Sequence, residues 1–139
     1  MIGALIDFAE RSMAMPGSTR VILVGVSRGA GLAVAAAGQD AVRERLTGVV
    51  AVGLTKEEEY VELDDLYGYL NHLGPLPLVV VQSTHDNFLP APQARLLFGP
   101  DNAHRVLRPV PANDHNFSDA RQPMYDALRM SLAWIDDHF

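Results

Sequence analysis

The sequence contains no cysteine, only one lysine and no long apolar run. Without cysteine, neither disulfide bridges nor thiolate metal sites can form. No apolar stretch approaches the roughly 20 residues that a helix needs to span a bilayer. The first ten residues carry acids at Asp7 and Glu10 and lack the basic region of a secretory signal peptide, so we expect a cytoplasmic protein. The scarcity of lysine beside ten arginines reflects genome composition and indicates no particular chemistry.

The composition is typical of a soluble globular domain. Of 139 residues, 48% are hydrophobic and 20% are charged, which suffices for one domain with a real core. The net charge of −6 argues against nucleic acid and anionic membranes as partners. We find no repeat, low-complexity tract or linker, and we expect residues 1–139 to form a single domain.

Strand-like apolar runs alternate with segments of helical spacing along the chain. The strands are predicted at Val21–Val24, Gly48–Val52, Pro77–Gln82 and Arg105–Val110. Helices are predicted over residues 2–14, Arg28–Ala37, Asp40–Leu46, from Pro90 or Pro92 to Phe98, and Asp119–His138, with an interrupted helix over Lys56–Leu73. Pro109 indicates that the fourth strand lies near an edge. This alternation predicts an α/β fold with a mostly parallel sheet, right-handed crossovers and flanking helices.

A glycine-rich turn follows the first predicted strand. The run Val21–Val24 is apolar and mostly β-branched, which is typical of a strand buried on both faces. Gly25, Ser27 and Gly29 come next, and a helix of small residues begins directly after them. We expect this turn to be too tight for side chains at Gly25 and Gly29.

Polar side chains follow the ends of the predicted strands. Ser27 follows the first strand, Thr55 and Lys56 follow the second, Asp86 follows the third and His115 follows the fourth. Because ligands and substrates of open α/β sheets bind at the carboxyl ends of the strands, we expect the serine, the acid and the histidine to converge there.

These residues resemble the motifs of the α/β-hydrolase superfamily. Residues Gly25–Gly29 match G-x-S-x-G, the nucleophile elbow, which projects a serine above the sheet at a helix N-terminus. Residues 86–90 and 115–117 resemble the segments of that superfamily that carry the acid and the histidine. The resemblance implies a serine hydrolase acting on an acyl substrate such as a carboxylic ester, with Ser27 as nucleophile, His115 as base and Asp86 orienting the imidazole. It implies the backbone N–H of Arg28 as an oxyanion donor, and neither a cofactor nor a metal ion.

The resemblance covers only the carboxyl-terminal half of that fold. The superfamily has several strands before the elbow, and here a single predicted helix precedes it. The expected architecture is therefore a truncated three-layer sandwich in which Val21–Val24 forms an apolar edge. Such an edge invites pairing with another chain, so we predict a homodimer or a partner chain that covers it.

A second resemblance competes with the first. Residues 24–31 also look like the G-x-x-x-G-x-G dinucleotide turn of short-chain dehydrogenases, in which the glycines let the backbone approach a pyrophosphate. The Tyr-x-x-x-Lys motif of that family is absent. A full predicted helix also precedes the turn, whereas the turn should open that fold. A third alternative is a non-catalytic, hydrolase-like interaction subunit.

Each candidate side chain also has a simpler interpretation. Ser27 could be a small residue in a crowded turn, Asp86 a turn or capping residue before a helix, and His115 a surface histidine held by Asp114. The pairs His85–Asp86 and Asp114–His115 could suggest a metal site, but no third ligand is evident in the sequence. His85 leaves the same strand end as Asp86, so we expect it to point away from the site.

Overall fold

The computed structural model describes residue 11, residues 20–55 and residues 70–139. The helix predicted over residues 2–14 lies outside this part of the chain, apart from Arg11. Most of the segment Lys56–Leu73 lies outside it too.

The described residues form four strands and four α-helices, with at least one helical segment after each strand, which confirms the predicted α/β class. The strands are β1 (Ile22–Val26), β2 (Gly48–Val52), β3 (Leu78–Ser83) and β4 (Arg105–Val110). The helices are α1 (Arg28–Ala37), α2 (Asp40–Arg43), α3 (Ala91–Phe98) and α4 (Arg121–His138), with a short 3₁₀ helix at Leu70–His72. Helix α4 begins at Arg121, later than predicted, and in the turn before it the Asp119 carboxylate accepts the Asn113 backbone N–H.

The strands form one sheet in the order β1-β2-β3-β4, and every neighbouring pair is parallel. The register places Val24 opposite Val50 and Val50 opposite Val79. All residues of β2 and β3 are buried. Because these two central strands are apolar at nearly every position, the sheet can be covered by helices on both faces.

Helices cover the two faces of the sheet and complete three layers. On one face, the small residues of α1 pack on Val49, Ala51 and Val80. On the other face, α4 packs through Ala127 and Ile135 on Val50, Val79 and Val81. The alternation of side chains along each strand explains why neighbouring valines belong to different layers. The side of α4 that faces the sheet carries Met124, Leu128, Ser131, Leu132 and Ile135.

Strand β1 lies at one edge of the sheet, and this position corrects the prediction that it is buried on both faces. Val24 is 41% exposed and Val26 is 60% exposed. Both valines point to the α4 side of the sheet, but α4 packs on β2, β3 and β4. Within the described residues, no strand pairs with the outer side of β1. Coverage of this edge by a second copy or a partner chain stays a prediction.

Strand β4 forms the opposite edge, as Pro109 indicated. Proline has no backbone N–H and cannot complete the hydrogen bonding of a central strand. An edge strand tolerates it, because one side of the strand has no partner. None of the helices in the described ranges has the length and apolar character that crossing a membrane requires.

Candidate active site

Ser27 occupies a strained backbone conformation between β1 and α1. Its φ is 57° and its ψ is −118°, a region that residues with side chains rarely adopt. The Ser27 N–H donates to the carbonyl of Val52 at 2.8 Å, and the Ala30 N–H donates to the Ser27 carbonyl at 2.9 Å. Such a conformation costs about 1–3 kcal/mol and persists only where neighbouring structure fixes it. The strain marks this turn as a candidate functional position.

The two glycines of the turn differ in how much space surrounds them. A Cβ atom at Gly25 would lie 2.0 Å from the Gly29 carbonyl oxygen and 2.8 Å from the Ala33 Cβ. A Cβ atom at Gly29 would have no neighbour within 4 Å among the described residues. The prediction of a tight turn is therefore right for Gly25 and wrong for Gly29, because α1 closes over the first glycine only.

Asp86 is buried in the turn that follows β3. Its Oδ1 atom accepts backbone N–H groups from Phe88 at 2.7 Å and Leu89 at 3.0 Å. Its Oδ2 atom lies 2.6 Å from the Nδ1 atom of His115. The simpler interpretation of Asp86 as a turn residue is thus correct for one oxygen, while the other oxygen faces the histidine.

His115 lies in the loop after β4 and joins the other two side chains. Its Nδ1 atom binds Asp86, and its Nε2 atom lies 2.8 Å from the Ser27 Oγ atom. Because a carboxylate can only accept, the proton resides on Nδ1, and Nε2 accepts the serine hydroxyl. Asp114 does not hold this ring: it accepts the Ser118 N–H at 2.9 Å, and hydrogen bonds from Ser118 hold the pKa of Asp114 below its ordinary value. Ser27, His115 and Asp86 therefore form one continuous hydrogen-bonded row.

Three neighbours fix the position of the His115 ring. The ring of Phe88 meets it edge to face, with centroids 5.0 Å apart. Gly53 has a φ of 72°, and a Cβ atom there would lie 3.1 Å from the His115 Cε1 atom. The Asn87 side-chain oxygen accepts the His115 backbone N–H at 3.3 Å. These contacts leave the imidazole little freedom to rotate away from Ser27.

Gln82, on β3, fastens the Asp86 turn to the loop after β2. It is fully buried. Its side-chain amide accepts the Leu54 N–H and donates to the Leu54 carbonyl, both at 2.9 Å, and it also donates to the Leu89 carbonyl at 2.6 Å. The same amide nitrogen lies 3.4 Å from the Asp86 Oδ2 atom. The sequence reasoning missed this residue, although a glutamine at the end of a valine run was a usable signal.

The remaining predicted site positions lie around this row. The backbone N–H of Arg28 stands at the start of α1, directly after Ser27, where helix amides lack an intrahelical acceptor. His85 is exposed, and its ring contacts the Thr84 hydroxyl at 3.1 Å instead of the row. Thr55 is buried after β2. Lys56 lies outside the described residues.

A cleft of about 310 Å³ opens beside Ser27 and His115. Its other lining residues are Val26, Val52, Asn116, Phe117, Ser118, Arg121 and Met124. A larger cavity of about 410 Å³ lies at the opposite end of the sheet, near the amino ends of the strands. The lining of that larger cavity includes Arg43, Glu44, Leu73 and Phe139, and it holds no nucleophile paired with a base.

The positions of the side chains and strands can be compared with what a metal site and a dinucleotide site would need. In the described part of the chain, no group of three or more histidine and acidic side chains could hold a metal ion. The sequential order β1-β2-β3-β4 also gives no reversal of strand order beside the glycine turn. Dinucleotide-binding sheets place their ligand at such a reversal.

The chain matches the model of one protein family. The model of the family described as PhoPQ-activated pathogenicity-related protein matches residues 36–137. This range includes Asp86 and His115 and covers most of the chain. No curated protein matches the chain significantly.

Solved structures resemble this chain in fold. The esterase domain of a Rhodothermus marinus protein is 15% identical, with a TM-score of 0.67 over 98% of this chain and 68% of that chain. An esterase of Pyrococcus furiosus is 14% identical, with a TM-score of 0.71 over 99% of this chain and 62% of that chain. An α/β-hydrolase enzyme from a lagoon-sediment metagenome is 16% identical, with a TM-score of 0.61 over 99% of this chain and 71% of that chain. The chain therefore has an α/β-hydrolase-like fold and spans 62–71% of the length of these three proteins.

Proposed function

The chain belongs to the family of PhoPQ-activated pathogenicity-related proteins, and we propose that it is a serine hydrolase that cleaves a carboxylic ester or a related acyl bond. The observation that carries this proposal is the row in which Ser27 Oγ lies 2.8 Å from His115 Nε2 and His115 Nδ1 lies 2.6 Å from Asp86 Oδ2. The esterases of similar fold support it as an analogy.

In the proposed acylation step, the Ser27 oxygen attacks the carbonyl carbon of the ester. His115 Nε2 takes the hydroxyl proton as the new C–O bond forms, and Asp86 stabilises the imidazolium through Nδ1–H. The resulting tetrahedral oxyanion accepts the Arg28 backbone N–H at the start of α1, where the helix dipole favours negative charge. The bond to the leaving group then breaks, and His115 returns the proton to the departing oxygen.

In the proposed deacylation step, a water molecule attacks the acyl group on Ser27. His115 takes one proton of the water, and the C–O bond to Ser27 breaks as that proton is delivered to the serine oxygen. The carboxylic acid leaves and the free hydroxyl is restored. The balance is one ester and one water converted into one acid and one alcohol, and all steps use side chains, backbone amides and water.

The nucleophile is tested by Ser27→Ala and a short-chain 4-nitrophenyl ester. We expect the turnover number to fall by about 10³-fold or more, since triad members act as a unit. The variant should also lose labelling by a fluorophosphonate probe while its circular dichroism spectrum stays unchanged. Unchanged turnover or labelling in a folded Ser27→Ala protein would show that Ser27 is not the nucleophile.

The two neighbouring histidines provide a matched control for the base. His115→Ala should reduce turnover as much as Ser27→Ala does, because the serine then lacks its proton acceptor. His85→Ala should stay within about twofold of the unmodified protein, since His85 is exposed and contacts Thr84. Equal losses in the two variants would contradict the assignment of His115.

A further inference from the structure

Among the described residues that line the cleft beside Ser27, Arg121 is the one arginine or lysine, and no acidic residue lines it. We propose that Arg121 binds an acidic group on the leaving-group part of the substrate, so that the chain cleaves esters of acid-bearing alcohols or phenols. This inference rests on the proposed hydrolase function and names the class of substrate for that site.

The position of the cleft assigns it to the leaving group. Besides Val26, Ser27 and Val52, all its lining residues belong to residues 115–124, the segment that begins with the histidine. In the proposed reaction, His115 Nε2 returns a proton to the departing oxygen, so this oxygen must lie beside the histidine. The group attached to it therefore extends along the same segment, toward Arg121.

Arg121 differs from several other described arginines in its lack of an ion-pair partner. Four others pair with carboxylates: Arg20 with Asp136, Arg43 with Asp40, Arg95 with Asp101 and Arg129 with Asp126. Arg121 makes no hydrogen bond and no ion pair within the described residues, although the chain as a whole carries a net charge of −6. Its donors are thus available to an anion in the cleft.

The acids of the segment around the cleft and of the Ser27–His115–Asp86 row are engaged by other donors. The positive charge of Arg121 is one of the causes that lower the pKa of Asp114, but the Asp114 carboxylate accepts the Ser118 N–H. Asp119 accepts the Asn113 N–H at 2.9 Å. Asp86 is buried and binds His115. A substrate carboxylate would add a planar, two-oxygen acceptor of the kind that a guanidinium binds best.

The other residues that line the cleft indicate which leaving groups would fit into it. Val26, Val52, Phe117 and Met124 contribute apolar surface to the cleft, while Asn116 and Ser118 contribute polar groups. A leaving group with an aromatic or short aliphatic body and a terminal carboxylate matches this combination of apolar, polar and cationic side chains.

The test uses two chromogenic esters that differ by one carboxylate on the leaving group: 4-nitrophenyl butyrate and 3-carboxy-4-nitrophenyl butyrate. For each ester, kcat/KM of Arg121→Gln is divided by that of the unmodified protein, so that intrinsic ester reactivity cancels. We expect about a tenfold loss for the carboxylated ester, mainly in KM, and no more than about a twofold change for the neutral one. Arg121→Lys should lose less than Arg121→Gln, and added salt should reduce the difference.

Arg129→Gln is the matched control, since it removes the same charge from the same helix at a residue that pairs with Asp126 outside the cleft. It should leave both ratios unchanged. Equal effects of Arg121→Gln on both esters, or equal effects of the two arginine variants, would overturn the role of Arg121 while leaving the hydrolase intact. Failure of the unmodified protein to cleave either ester would instead overturn the proposed function, and this inference with it.

Discussion

The two ends of the parallel sheet differ in the kind of structure they hold. At the carboxyl ends lie the strained Ser27, the buried His115–Asp86 pair and the buried amide of Gln82. At the amino ends lies the larger cavity, lined largely by apolar residues and prolines. The larger of the two cavities is therefore not the one beside Ser27 and His115, and cavity size does not locate this site. Buried polar groups and backbone strain are costly, so their concentration at one end is the stronger indication of function.

The largest effect on stability is expected at Gly25, in the glycine-rich turn at the carboxyl end of β1. Gly25→Ala should lower the free energy of unfolding by about 3 kcal/mol or more, because the new methyl group would overlap the Gly29 carbonyl. Gly29→Ala should be neutral or stabilising by up to about 1 kcal/mol, since alanine favours the helix and has open space. Urea denaturation followed by circular dichroism measures both. Similar destabilisation by the two variants would mean that the turn is crowded on both sides.

A smaller effect is expected when Gln82 is replaced, because its buried amide holds the Asp86 turn against the loop after β2. Gln82→Met keeps the side-chain length but leaves buried groups of Leu54 and Leu89 without partners, which should cost about 2–4 kcal/mol. Because Asp86 then loses a fixed position, kcat for an activated ester should fall about 10–100-fold while KM changes little.

Val80→Ala is the control for this variant. Val80 is fully buried two residues earlier on β3, so its truncation should destabilise the fold without touching the Asp86 turn. Under conditions where both variants are folded, Val80→Ala should keep its kcat. A parallel loss of kcat in both proteins would show that Gln82 acts through stability alone.

The smallest effect is expected near the amino ends of the strands. Partial burial raises the pKa of Asp101, but hydrogen bonds from Arg95 and the Leu107 amide outweigh it and place this pKa below its ordinary value. A lowered pKa in the folded state means that the stabilisation is present at neutral pH and is lost as the pH falls through the folded pKa. Asp101→Asn should remove this part of the acid dependence at a cost of about 0.2–1 kcal/mol at neutral pH, since the pair is partly exposed.

Ester turnover of Asp101→Asn should match that of the unmodified protein, because Asp101 lies away from Ser27. The measurement is urea denaturation at several acidic and neutral pH values, for both proteins. A loss of turnover without a loss of stability would contradict the separation of the two ends.

Much of the site followed from residue types and their order. Ser27, Asp86 and His115 each come just after a strand, and parallel strands bring such positions to one edge. The roles of Gly53 and Phe88 depend on distances between loops that are far apart in the chain, and no local pattern carries those distances. Gly29 shows the converse, because a motif position that sequence treats as crowded is open in space.

The sequence by itself determined which segments form strands and helices, because apolar runs and turn residues act locally, and it determined that the sheet is parallel, because helices separate the strands. Only the tertiary structure decided that Val24 and Val26 of β1 are exposed, that Gln82 bridges two loops and that Arg121 shares a cleft with Ser27. These features depend on where α4 lies across the sheet and on side chains that meet from distant segments. Such contacts are set by the packing of the whole domain, which no single stretch of sequence encodes.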